Sequence, residues 1–144
     1  QEDSMKVWAY INEHGILCCA LFPEAVPSGV NAVELEVDDP VDVVLDNGQI
    51  RVKTAEEKLN ELKQIKLQLL RSYLTSLLFP TDYVLIKIQE AQVAGGDVNA
   101  LLQKYEHVLN KRQAIREWYR QTKQAILNAT SQEELNSINL EFRE

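Results

Sequence analysis

The periodicity of this 144-residue chain changes at Thr54. Before it, short runs alternate apolar and polar side chains every second residue; after it, about ninety residues repeat apolar side chains every three or four. A period of two belongs to strands and a period near 3.6 to helices, so the chain reads as α+β: a small N-terminal antiparallel β meander followed by a long α-helical hairpin or bundle. Three segments follow. Residues 1–4, which precede Met5, read as a cloning remnant; residues 5–53 form the β module; residues 54–144 form the helical hairpin domain with a short C-terminal helix.

Within the β module, residues 5–12 put Val7, Ala9 and Ile11 on one face and Lys6, Trp8 and Tyr10 on the other. Glu13, His14 and Gly15 supply a turn, and residues 16–22 return as the second half of a hairpin. Val33, Leu35 and Val37 alternate with Glu34 and Glu36, the pattern of a half-buried strand. Asn47-Gly48, between residues 43–45 and 49–52, supplies the positive φ angles that a tight hairpin turn requires. Trp8, Tyr10 and Phe22 read as aromatics that bury the sheet against something.

Thr54 and Glu57 have the spacing of a capping box, which predicts a helix start. Leu59, Leu62, Ile65, Leu69, Tyr73 and Leu77, joined by Leu70, Leu74 and Leu78, form an apolar stripe that stops at Phe79-Pro80. Thr81 and Asp82 are cap residues for a second helix with Val84, Leu85, Ile88 and Ala91 on one side, although Val84, Ile86 and Ile88 also alternate as in a strand. Gly95-Gly96 breaks the chain. One long helix is expected over residues 98–129 as the antiparallel partner of the first. Thr130 with Glu133, or Ser131 with Glu134, caps a last short helix, and residues 139–144 trail off.

The formal net charge of −7 sits in the first third: residues 1–53 hold ten acids and three bases, while residues 54–144 hold twelve of each. Such a field repels a phosphate backbone and suits a basic protein partner, or simply keeps the chain in solution. No apolar run approaches the length of a membrane span, so no membrane role is expected. Cys18 and Cys19 are adjacent in a strand and point to opposite faces, which implies reduced thiols. With only His14 and His107 beside them, no zinc spacing exists.

No nucleophile–base pair, phosphate loop or cofactor motif is present, so the reading is non-enzymatic, with no catalytic, cofactor-binding or metal-binding residue. His107 beside Glu106 reads as a surface histidine. Asp38, Asp39 and Asp42 cluster around Pro40 but lack the alternating ligands of a calcium loop. The candidate partner-binding residues are Arg112, Arg116, Arg120 and Lys123, spaced four, four and three residues apart on one helix face, with Trp118 and Tyr119 beside them. Such a row can grip phosphates while aromatics stack bases. It is equally the pattern of a solvated or protein-contacting face, which the acidic chain favours. Apolar stripes on both long helices exceed what two helices cover, so self-association is expected of an exposed leucine there.

Three stretches carry a resemblance: MKVWAYINEHGIL; DDPVDVVLDNGQIRVKT leading into a charged helix; and RSYLTSLLFPTDYVLIKIQEA followed by an Arg-rich helix that ends ATSQEELNSI. Together they resemble small proteins and fibre-end segments from the tail genes of bacteriophages and prophages, the tail fibre and tail assembly or assembly-chaperone group. Tyr83 stands where many members of that group carry Trp after the Thr-Asp pair. The resemblance implies a tail or tail-fibre accessory protein that works through protein contacts with tail or fibre components, in the host cytoplasm or the virion. A nucleic-acid-binding or regulatory module using the face from Arg112 to Lys123 is the alternative.

Overall fold

The computed structural model describes residues 4–144; the stretch expected to be a cloning remnant lies outside them but for Ser4. The architecture is α+β, with antiparallel strands first and helices after, as the change of period predicts. The chain forms two compact units, one ending at Lys58 and the other spanning Leu59–Glu144.

The β unit contains β1 (Met5–Ile11), β2 (Leu17–Ala20), β3 (Val33–Val37), β4 (Val43–Asp46) and β5 (Gln49–Val52). Its order departs from a simple meander. β1 is central in a sheet ordered β2-β1-β3, and β4 and β5 form a separate hairpin. The register sets Val7 opposite Leu35 and Ala9 opposite Cys19, so one face of β1 is wholly apolar. β5 lies beside β3 and β4 beside β2, and Val7, Ala9, Val37 and Val43 are enclosed between the two sheets. Asn47 and Gly48 both have positive φ, 51° and 80°, which closes the two-residue turn whose twist matches the flanking strands. Phe22, expected in a core, is exposed, and Trp8 and Tyr10 are half-buried on the outer face of β1. The inner face is already filled by small aliphatic side chains, which leaves no room for a second aromatic layer.

α1 spans Ala55–Leu78. The capping box forms at its start: Thr54 Oγ1 accepts from the Glu57 amide at 3.1 Å, and Glu57 Oε1 accepts from the Thr54 amide at 2.9 Å. The same carboxylate accepts both terminal guanidinium nitrogens of Arg51, at 2.7 and 2.9 Å. Arg51 and the cap amide hold the Glu57 carboxyl down at about 2, against 4.5 for a free glutamate. A depressed folded-state value contributes stability above pH 4.5 and loses it as the pH falls towards 2. Acid unfolding of the β unit should therefore steepen in that window, and Glu57→Gln should flatten it while leaving the neutral-pH fold intact. A pH titration by circular dichroism that is unchanged by the substitution would contradict this.

In the helical unit, α1 is followed by a 3-10 turn over Phe79–Thr81, α2 (Asp82–Val93), α3 (Asn99–Lys104), α4 (Glu106–Asn128) and α5 (Gln132–Ser137). α4 runs antiparallel to α1. Lys63 Nζ donates to the Leu127 carbonyl and Arg112 to the Leu78 carbonyl, so fifteen residues forward on one helix match fifteen residues back on the other. Leu70, Ile126, Ala129 and Leu135 form the core of this unit, with Leu59, Leu62, Leu67, Trp118 and Tyr119 packed around it.

Two expectations are corrected here, and one alternative is decided. The helix predicted over residues 98–129 is two helices, because the backbone at Tyr105 (φ −106°, ψ 17°) leaves helical geometry; its ring meets Tyr83 edge-on at 6.2 Å. The tail does not trail off: Ile138 and Leu140 pack on the core and Phe142 meets Trp118 edge-on at 5.8 Å. Of the alternative caps for α5, Ser131 is the one used, with Glu134 reaching back to the amide and hydroxyl of Thr130. α2 ends in a Schellman arrangement, Gly96 N–H to Ala91 O and Gly95 N–H to Gln92 O, with Gly95 at φ +75°.

Candidate functional site: the faces of the helical unit

The predicted basic row does not survive as a row. Arg112 points inward and is only 5% exposed, whereas Arg116, Arg120 and Lys123 are exposed. The Arg112 guanidinium donates to the Leu78 carbonyl at 2.8 Å, to Thr81 Oγ1 at 2.7 Å and to Asp82 Oδ1 at 3.0 Å. A buried guanidinium requires such saturation, because an unpaired buried charge is strongly destabilising. Arg112 thus ties α4 to the link between α1 and α2. Arg120 is paired with Glu117. Trp118 and Tyr119 are half-buried against the core, and Trp118 also meets Phe142 edge-on.

Thr81 and Asp82, expected to cap α2, do something else. Neither side chain makes a cap hydrogen bond at the start of the helix. Thr81 Oγ1 donates to the Leu78 carbonyl at 3.2 Å and accepts from Arg112, and Asp82 is the carboxylate partner of the same arginine. The 3-10 turn continues directly into α2, so no orphan amide faces a cap.

Two lysines on α1 serve a related purpose. Lys63 Nζ donates to the carbonyl of Leu127 at 2.9 Å, near the end of α4, and Lys66 Nζ to that of Leu135 at 2.6 Å, a second donor to a carbonyl that also accepts from the Ile138 amide at the end of α5. Burial pushes the Lys66 ammonium below its ordinary value. Sequence reasoning missed both residues, although their positions four and seven residues before Leu70 place them on its helix face.

The acidic cluster around Pro40 is occupied by the chain itself. Lys58 Nζ lies 2.9 Å from Asp42 and 3.9 Å from Asp38, while Asp39 accepts from the Val41 amide. Among the described residues no group of three or more His, Cys, Asp or Glu side chains is placed to hold a metal ion. His107 is exposed. Cys18 and Cys19 are free thiols, and burial raises the Cys19 thiol above its ordinary value. No helix among the described residues is long and apolar enough to cross a membrane.

What the helical unit does present is uncovered apolar surface. The apolar stripe predicted for α1 splits into two. Leu70 and Leu78 are buried, but Ile65, Leu69 and Tyr73, four residues apart, are at least half exposed. α2 and the 3-10 turn before it carry a second such row: Val84 is buried, while Phe79 in the turn and Tyr83, Ile86 and Val93 on the other side of α2 are 73%, 49%, 54% and 84% exposed. Sequence reasoning gave α2 a single apolar face and took the alternation of Val84, Ile86 and Ile88 as strand-like. That alternation is the signature of a helix apolar on two opposite faces. Chemically, the arrangement offers burial to a partner: scattered exposed apolar residues are ordinary, but contiguous rows on helix faces mark contact surfaces. Compared with known proteins, the chain matches no protein-family model, no curated protein and no solved structure.

Proposed function

We propose that this chain is a non-enzymatic contact protein of the phage tail or tail-fibre accessory kind, working through the uncovered apolar faces of its helical unit. The observation that carries the contact reading is the pair of exposed rows, Ile65, Leu69 and Tyr73 on α1, and Phe79 in the 3-10 turn with Tyr83, Ile86 and Val93 on α2. Burying a Leu, Ile or Phe side chain fully is worth about 1.5–3 kcal/mol, so either row offers several kcal/mol to a partner that covers it. The tail assignment is carried by the resemblance of residues 5–138 alone. The acidic β module adds a preference for partners with a basic surface.

The alternative, nucleic-acid binding through the face from Arg112 to Lys123, draws less support. Arg112 is spent inside the fold, Arg120 is paired with Glu117, and both aromatics are packed. The test is co-expression with phage tail and fibre proteins from the genome that encodes this chain, followed by size exclusion with light scattering. A stoichiometric complex with one of them supports the proposal; a folded chain that complexes with none contradicts it. Binding to duplex or single-stranded DNA that weakens steeply with rising salt would favour the alternative instead.

A further inference from the structure

We propose that the outward row of α2 is a self-pairing seam, by which two copies of this chain associate antiparallel. This deepens the contact reading above and rests on it. Ile86 and Val93 are seven residues apart, which at 3.6 residues per turn places them within about 20° of one line along α2, and Phe79 stands in the 3-10 turn that leads into it. Val84 lies about 160° around from Ile86 and is fully buried, with Ile88 and Ala91 half-buried beside it. A helix apolar on opposite faces is built to lie between two layers, and the chain supplies only one of them.

Charge decides the occupant. The polar neighbours of the row include Lys87 and Glu90, opposite in sign and three residues apart. Neither side chain has an ion-pair or hydrogen-bond partner among the described residues. A row bordered by one charge of each sign is complementary to its own copy about a two-fold axis. In an antiparallel pair, setting Lys87 beside Glu90 of the second copy happens twice by symmetry, and the same register brings Tyr83 to within one residue of Val93 of that copy, also twice. A parallel pair would set Glu90 against Glu90 and is disfavoured. Phe79 then reaches past the end of the other helix, where Gly95 and Gly96 carry no side chains. Four apolar side chains per copy cover less than the roughly 800 Å² a standard interface buries on each partner, so the dimer should dissociate on dilution.

The experiment is sedimentation equilibrium on the full chain from about 1 µM to about 1 mM, the span over which such small interfaces titrate. The expected mass rises from 16.5 kDa to twice that value. Ile86→Asp should remain at 16.5 kDa throughout, with circular dichroism confirming its fold. If that variant is poorly folded, Val93→Asp, at a position 84% exposed, gives the same reading. Lys87→Glu should weaken pairing about tenfold, and Lys87→Glu with Glu90→Lys should restore it. A wild-type chain at monomer mass throughout, or folded aspartate variants that pair as well as wild type, would overturn the proposal. So would a charge reversal that fails to rescue. A monomeric chain that still captures a tail component overturns self-pairing alone; a dimer that captures none contradicts the proposed function alone.

Discussion

Leu70→Ala is expected to destabilise the helical unit by about 3 kcal/mol, within the 2–5 kcal/mol range for large-to-small changes in a closed core. Leu70 is fully buried among Ile126, Ala129 and Leu135, which belong to α4, the link after it, and α5. Those elements are held by backbone geometry and by Lys63 and Lys66, so they cannot simply collapse into the space left. Each unit carries one tryptophan, Trp8 in the β unit and Trp118 in the helical unit, so Trp8→Phe leaves a reporter for the helices alone. In urea, the Trp118 transition should move to lower denaturant with its slope unchanged. A shift worth less than about 1 kcal/mol would mean that Leu70 is not the centre of this core.

Arg112→Met should cost a similar amount, about 3 kcal/mol, even though it keeps a long apolar stem in place. The loss is the charge-assisted set to Leu78, Thr81 and Asp82, which leaves the Leu78 carbonyl with only the weaker neutral bond from Thr81. Arg112→Lys should recover part of this, since an ammonium is compact where the guanidinium spans several acceptors. Asp82→Asn should cost less, about 1 kcal/mol, because Asp82 is half exposed and water replaces its partner. Were Arg112 an ordinary surface cation, Arg112→Met would move the urea midpoint by no more than about 0.5 kcal/mol equivalent.

Local devices were the parts of this fold legible in sequence. The Thr54–Glu57 box, the Asn47-Gly48 turn and the Gly95-Gly96 stop each act through neighbours within a few residues, so the sequence window that encodes them also contains their cause. The fold class followed from period alone. Arg112 was not legible: its spacing to Arg116 and Arg120 is what a surface row would have, and its burial depends on Leu78 and Thr81, more than thirty residues away. The break at Tyr105 carries no glycine or proline to announce it. The two faces of α2 were encoded but misread, because an apolar residue at every second position satisfies a strand and a doubly covered helix equally. The order β2-β1-β3 also lay beyond local reading, since the choice between pairing β3 with β1 or with β2 is made by the closure of the two sheets.

The working surface proposed for this chain is the uncovered apolar face of its helical unit, not the basic side of α4. Its most direct test is capture of a co-expressed tail component, measured side by side for wild type, Leu69→Asp, Ile86→Asp and the triple variant Arg116→Ala, Arg120→Ala, Lys123→Ala. All of these positions are exposed, so each variant should fold. At least one aspartate variant is expected to lose capture while the triple variant retains it. Loss of capture in the triple variant, with both aspartate variants binding as wild type does, would contradict it.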